Sequence, residues 1–381
     1  MPKNIYRGEP GFVHGEVPGV GILLANLGTP EAPTAKALRP YLRQFLGDPR
    51  VIELPRLMWW LILNLFVLPF RPKKSAALYA SIWTAEGSPL LAVSRRIALV
   101  LEERLRQGIG TPLHVELGMT YGEPSIPRSL ATLRDKGCRK VLVLPLFPHY
   151  SSTSTGAVFD AVMKELMTWR RVPEVRTVHE FHDEPGFVAA LAASIREVWE
   201  REGEPEMLVT SYHGIPLRYF LDGDPYHCFC HKTTRLIAEE LGLERERALV
   251  TFQSLFGKEP WLKPPTDKTM AALPKRGVKR VDVVCPGFSI DCLETLEEID
   301  KLNREIFLAA GGERFRYVPA LNEREDHLAF LTELARRHLG GWVVARDAWD
   351  DGAACAEAAA SRERAEALRA VSENTPAHGP G

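Results

Sequence analysis

What most constrains this chain is an alternation of short, nearly unbroken apolar runs with longer stretches of helical periodicity. A run that is apolar at consecutive positions has no polar face to turn to water, so as a strand it needs cover on both sides. Helices crossing over a parallel sheet provide that cover, and the fold class is α/β. Strands are expected at 20–26, 114–119, 141–147 and 175–180 in the first half, and at 207–212, 248–252, 281–285 and 315–318 in the second. Helices fill the gaps at 34–46, 88–107, 125–136, 156–169, 186–201, 230–241, 291–310 and 324–339. Two doubly wound units, each with a four-stranded parallel sheet, place a ligand cleft between them at the carboxyl ends of the strands. The expected division is 19–175 for the first half and 176–320 for the second, with a helix over 321–344 packing back on the first half. Beyond it, 345–381 turns rich in Ala, Glu and Arg and closes on ENTPAHGPG, which reads as an appended helix and a disordered tail.

With 381 residues, 45% of them hydrophobic and 25% charged, the chain has core enough for more than one globular unit. Its six cysteines (Cys138, Cys228, Cys230, Cys285, Cys292, Cys355) are too few for a disulfide framework at this length, so free thiols and a reducing compartment are expected. A formal net charge of −1 leaves no basic excess to draw phosphate backbones, which argues against nucleic acid as a partner. Residues 1–18 lack the apolar core of a secretory signal, and the expected location is the cytoplasm. One segment, LMWWLILNLFVLPF at 57–70, is almost wholly apolar, yet its 14 residues fall short of the ~20 that a spanning helix needs. It reads as a lip or a core helix.

Polar residues just after strands are the first suspects for chemistry. The first strand ends in Asn26-Leu27-Gly28-Thr29-Pro30, a turn that either meets a ligand or only reverses the chain tightly. No GxxxxGK[ST] loop occurs and no GxGxxG follows the first strand, which disfavours a dinucleotide-binding dehydrogenase. His213 lies in Ser211-Tyr212-His213-Gly214-Ile215-Pro216 at a strand end. A histidine there is often structural, but the adjoining Gly and Pro shape a tight loop able to present the ring. After VDVVC, a helix opening near Asp291 puts Asp291, Glu294 and Glu298 at i, i+3 and i+7 on one face. That row is either a solvated helix start or a functional ladder. Imidazole with carboxylate and no thiolate suits a borderline divalent ion such as ferrous iron.

The hydroxyls of Ser151 and Ser154, after VLVLPLF, are good donors to ligand carboxylates, while Thr155 reads as a helix cap. Tyr121 closes another strand, and Trp59, Trp60 and Phe66 add aromatic surface suited to a flat apolar ligand. Cys228 and Cys230, with Cys285 and Cys292, invite an iron–sulfur reading, but their spacing matches no common cluster run, and buried or idle thiols are the simpler expectation.

The blocks NLGTPEAPTAKALRPYLRQFLGDPRVIELPR, YSSTSTG, SYHGIP, GDPYHC, FQSLFGKEPWLKPPTD and CPGFSIDCLETLEEID, spread over 19–339, together resemble the ferrochelatase family in its proteobacterial form. The resemblance implies a chelatase-like fold of two similar Rossmann-like halves. It implies protoporphyrin IX in the cleft and ferrous iron inserted to give protohaem, with two protons released, as the last step of haem biosynthesis. Iron is then a substrate, and no cofactor is required. By motif, His213 and Glu294 match the family's active-site histidine and its partner carboxylate, acting on proton and metal. Tyr121, Ser151 and Ser154 match the porphyrin pocket, with Arg43 toward a propionate. Where some members carry a histidine two positions before the glutamate, this chain has Cys292. The segment from Ala345 lacks the cysteine cluster that ends animal homologues.

On this reading His213 accepts a pyrrole proton, and Glu294 either delivers iron or relays the proton outward along Asp291 and Glu298. The lip at 57–70 admits a greasy ring, with peripheral contact to the inner membrane as a further expectation. Two alternatives stay open: a chelatase of the same fold using another tetrapyrrole or metal, and a haem or metal carrier with the pocket but no proton relay.

Overall fold

The computed structural model describes residues 5–9, 12–257 and 259–374. Its frame is two four-stranded parallel sheets. The first holds β1 (Gly19–Gly28), β2 (Leu113–Tyr121), β3 (Cys138–Pro145) and β4 (Glu174–Thr177) in the order β2-β1-β3-β4. The second holds β5 (Met207–His213), β6 (Ala248–Gln253), β7 (Arg280–Val284) and β8 (Arg314–Val318) in the matching order β6-β5-β7-β8. All eight expected strands are present.

The helices of the first half are α1 (Ala35–Gly47), α2 (Arg56–Ile62), α3 (Leu68–Ile82), α4 (Pro89–Gly108), α5 (Ile126–Asp135) and α6 (Thr155–Leu166). Those that follow are α7 (Pro185–Glu202), α8 (Leu217–Leu221), α9 (Tyr226–Leu241), α10 (Thr266–Ala272), α11 (Arg304–Ala309), α12 (Glu325–His338) and α13 (Asp351–Asn374). Two further segments, Leu63–Val67 and Glu294–Asn303, are π-helical. Helix α13 occupies much of the appended stretch, and 375–381, where the tail is expected, lies outside the described residues.

Burial on both faces holds for the central strands and fails at the edges. β1 is buried along its length except at Leu27, whereas β2 alternates at its start and β4 is half-exposed throughout. An edge strand has one neighbour and less helix above it, so one of its faces stays wet. Successive β1 side chains enter different layers, as the two-residue strand period requires. Ile22 and Leu24 join α4, α7 and α12 in one core, while Leu23 and Ala25 join α5 and α6 in another. The first of these cores runs on into the second sheet through Leu208, Val284 and Val318, so the two sheets share apolar packing. A buried ion pair pins β7 to β8: Arg316 donates to Asp282 through Nε (2.7 Å) and Nη2 (2.6 Å), and Trp199 Nε1 adds a third bond (2.8 Å).

Helix α12 packs on α4 as well as on α7. On it sits His327, fully buried, whose Nδ1 donates to the Asn322 carbonyl (2.7 Å) while Nε2 has no partner among the described residues. Burial holds this imidazole down at about 4. A neutral histidine in the fold and an ordinary one (~6.5) when unfolded stabilise the native state above pH 6.5, and that contribution drains away as pH falls toward 4. Unfolding free energy should therefore drop by about 2 kcal/mol between pH 7 and pH 5 on account of this residue. In His327→Gln the acid slope, read from denaturant melts at the two pH values, should shrink by that amount without vanishing, because His149 and His182 are also held down by burial. An unchanged slope would assign the acid sensitivity elsewhere.

Candidate active site

With β1 and β3, and β5 and β7, as central neighbours, each sheet reverses its winding between those strands, and loops leaving such a point part to form a crevice. Four of the polar loops singled out in the sequence leave from these strands: 26–30, 146–155, 213–216 and 285–293. Gly28 ends β1 at φ 118, where an added Cβ would sit 1.8 Å from the Tyr121 carbonyl oxygen, so only glycine lets β1 turn against β2 there.

His213 is the last residue of β5 and is half-buried. Its Nδ1 lies 2.6 Å from the Gly214 carbonyl oxygen. A carbonyl only accepts, so Nδ1 carries the ring proton and Nε2 keeps a lone pair for a base's work. Gly214 lets the loop close on β6: a Cβ would meet Leu255 at 2.5 Å, and its N–H donates to the Gln253 carbonyl (2.7 Å).

The expected helix at 291–310 divides into the π-helical Glu294–Asn303 and the short α11. A π turn closes i→i+5 instead of i→i+4, so the 3.6-residue periodicity that put 291, 294 and 298 in one row does not apply. Asp291 precedes the segment and is buried, with its carboxylate already taken by the Tyr317 hydroxyl (2.6 Å), Thr295 Oγ1 (2.9 Å) and Asn322 Nδ2 (2.8 Å). The three-carboxylate row read from the sequence is therefore corrected: Asp291 is a fastener between the start of the π segment and the end of β8.

Glu298 accepts from the Ser254 N–H (2.7 Å) and from Ser254 Oγ. Burial pushes its carboxyl up against the pull of Ser254 and His213, and the Glu294 carboxylate pushes the same way as burial. His213, Glu294 and Glu298 thus share one electrostatic neighbourhood. Facing Glu294 from the first half are two phenols, Tyr41 on α1 and Tyr79 on α3, both pushed up by burial with the glutamate adding to it. Cys292 is buried, its thiol pushed up by burial and then by Glu294.

The remaining sequence-derived candidates lie around this group. Ser151 Oγ (2.9 Å) and Ser152 N–H (2.8 Å) both donate to Asp224, tying the loop after β3 to the second half. Ser154 is the N-cap of α6 without a capping bond, and Thr155, expected to cap it, is its first helical residue, with a buried Oγ1 that has no partner among the described residues. Tyr121 is buried and donates to Asp48 (2.9 Å). Arg43 is exposed on α1.

The four cysteines of the cluster reading are differently disposed: Cys228 is exposed, Cys230 lies buried beside Tyr226, Cys285 Sγ donates to Gln253 Oε1 (3.7 Å), and Cys292 adjoins Glu294. Among the described residues no three His, Cys, Asp or Glu side chains are set to hold a metal ion. Sequence reasoning missed Gln253, Ser254, Tyr41 and Tyr79. Gln253, Ser254 and Tyr41 stand inside quoted blocks without a chemical signal of their own, and Tyr79 falls in a stretch where no element is expected.

The lip lies at the start of a continuous helical run made of α2, the π-helical Leu63–Val67 and α3. Leu63 and Leu68 are buried and Trp59 Nε1 donates to the Leu46 carbonyl (2.6 Å), but Leu57, Trp60, Phe66 and Phe70 are 76%, 59%, 65% and 72% exposed. No helix among the described residues is long and apolar enough to cross a membrane.

The family model for ferrochelatase matches residues 19–339. The chain is 52% identical over 360 residues to the ferrochelatase of Thioalkalivibrio sulfidiphilus (strain HL-EbGR7), covering 94% of this chain and 98% of that one. To the ferrochelatase of Nitrosococcus oceani it is 50% identical over 365 residues, covering 96% and 99%. Among solved structures, SirB from Bacillus subtilis with Fe3+ superposes with a TM-score of 0.52 at 11% identity, over 85% of this chain and 97% of that one, a likeness of fold alone. From the two matched four-stranded parallel sheets and these similarities, the chain belongs to the ferrochelatase family, enzymes that insert iron into a porphyrin in the final step of haem biosynthesis.

Proposed function

We propose that this chain inserts ferrous iron into protoporphyrin IX within the cleft between the two sheets, with His213 as the base and Glu294 and Glu298 handling metal and proton. Insertion requires two pyrrole N–H protons to leave and the nitrogen lone pairs to become reachable from one face of the ring. A planar macrocycle hides those pairs. A cleft that grips the rim can hold the ring bent part-way to the transition state, with remote contacts offsetting ~1–5 kcal/mol of strain.

The observation that carries this reading is that His213, with Nδ1 engaged by the Gly214 carbonyl and Nε2 left to accept, lies near the Glu298 carboxylate, whose proton affinity burial raises. A neutral imidazole accepts a pyrrole proton, and a carboxyl whose affinity for protons is raised is suited to pass it outward. Glu294 offers oxygen to iron as it approaches, and His213 supplies nitrogen, a donor set suited to ferrous iron. Asp291, fully engaged, anchors the segment and carries no proton itself. Ser151, Ser154 and Tyr121 shape the rim, and the exposed Arg43 is available to a propionate. Iron is a substrate, and no cluster or other cofactor enters the scheme. The division into halves at 19–175 and 176–320, with 321–344 returning to the first, is supported by the two sheets and by the packing of α12 on α4, although β4 (Glu174–Thr177) carries the first sheet two residues past that boundary. The chain is read as cytoplasmic, and the exposed apolar residues of 57–70 as a lip that takes the ring from a membrane surface at which it rests peripherally.

Three outcomes are expected. His213→Ala should abolish metallation of protoporphyrin, followed by absorbance with iron or zinc, while porphyrin binding survives; near-normal turnover would remove His213 from the mechanism. Glu294→Gln should slow insertion by roughly 10²–10⁴-fold with the melting temperature intact, and full activity across iron concentrations would show that the carboxylate is only a solvated group. Truncating Trp60 and Phe66 together to Ala should weaken both porphyrin affinity and liposome association. If both stay as in the wild type, the lip has neither role.

A further inference from the structure

Ser254 stands in the left-handed region at φ 64, one of two non-glycine residues with positive φ among the described residues. A residue carrying a Cβ is disfavoured there and stays only where its surroundings over-determine it. The surroundings in this case are specific. Ser254 follows Gln253, the last residue of β6, and the pair grips the π-helical segment at two points one turn apart. Gln253 Nε2 donates to the Glu294 carbonyl (2.9 Å), and Ser254 sends both its N–H (2.7 Å) and its Oγ to the Glu298 carboxylate. Gln253 also grips the end of β5, since its carbonyl accepts from Gly214 N–H (2.7 Å) and its Oε1 accepts from Ser211 Oγ (2.7 Å). Gln253 is 2% exposed, so these bonds are made away from water. One corner of the chain therefore fixes the residues flanking His213 and, through Ser254, the carboxylate beside that imidazole.

We propose that Ser254 is a positioning residue whose left-handed backbone, more than its hydroxyl, aims the N–H that holds Glu298 beside His213 for proton transfer. This rests on the reading that Glu298 works with His213. The substrate ring is not touched by Ser254 in this scheme, so the residue acts on the chemical step and not on porphyrin affinity. A slight misplacement of a reacting group can lower a rate by ~10²-fold.

The test compares Ser254→Gly, Ser254→Ala and Ser254→Val, all of which lose the hydroxyl and differ in their tolerance of positive φ. Insertion of iron or zinc into protoporphyrin should give kcat for the Gly variant within about fivefold of wild type, for Ala about tenfold below Gly, and for Val roughly a hundredfold below wild type. The KM for porphyrin should stay within about twofold throughout. Thermal melts accompany each assay, and should the Val variant fail to fold, the Gly and Ala pair decides. An Ala variant as fast as Gly overturns the proposal, as does a series in which KM rises while kcat holds. Glu298→Gln separates the two layers: wild-type kcat in that variant defeats the underlying reading of Glu298, whereas a slow Glu298→Gln with a flat Ser254 series defeats the positioning role alone.

Discussion

Two carboxylates and an imidazole share a half-buried corner where β5 ends and the π-helical segment begins, and much of the surrounding structure answers to their charges. Like charges in a poorly solvated site oppose one another, which is why Glu294 and burial act together to raise the Glu298 carboxyl. Ser254 and His213 push back, the first through two hydrogen bonds and the second through its potential positive charge. The net result is a carboxyl with its proton affinity raised above the ordinary carboxylate. Such a shift is a property of working acid–base sites.

The corner also depends on the two halves meeting. The phenols of Tyr41 and Tyr79 face Glu294 from the first half, and the Lys301 ammonium at the far end of the π segment donates to the Ser81 carbonyl (2.8 Å) at the end of α3. On the opposite side of the junction, Asp224 holds the loop after β3, and His149 meets Thr233 (2.8 Å). Apolar packing through Leu208, Val284 and Val318 joins the sheets beneath these polar contacts. Non-directional packing sets the halves side by side, and the directional bonds fix how their loops confront each other.

Much of the fold was legible because its signal is local. Most of the eight strands announce themselves as apolar runs, and the loops that carry His213 and Glu294 are recognisable as polar segments directly after strands. The edge strands were over-read: β4 is Glu174-Val175-Arg176-Thr177, with little apolar character to be buried on both faces, and it has a single neighbour in the sheet. The row of Asp291, Glu294 and Glu298 was misread as well. Its geometry assumed an α-helix, whereas Glu294–Asn303 is π-helical and is held by Gln253 and Ser254, far off in sequence. Likewise nothing near Asp291 in the chain tells that Tyr317 and Asn322 will occupy its oxygens.

Sequence alone determined the α/β class, the number of strands and the family, because each depends on residue type at short spacing or on long blocks of residues. Tertiary structure decided the matching strand order of the two sheets, the partnership of Ser254 with Glu298, the removal of Asp291 from the row, and the approach of Tyr41 and Tyr79 to Glu294. Those features depend on distances between segments remote in the chain, and such distances are set only when apolar layers close and the buried polar groups find their partners.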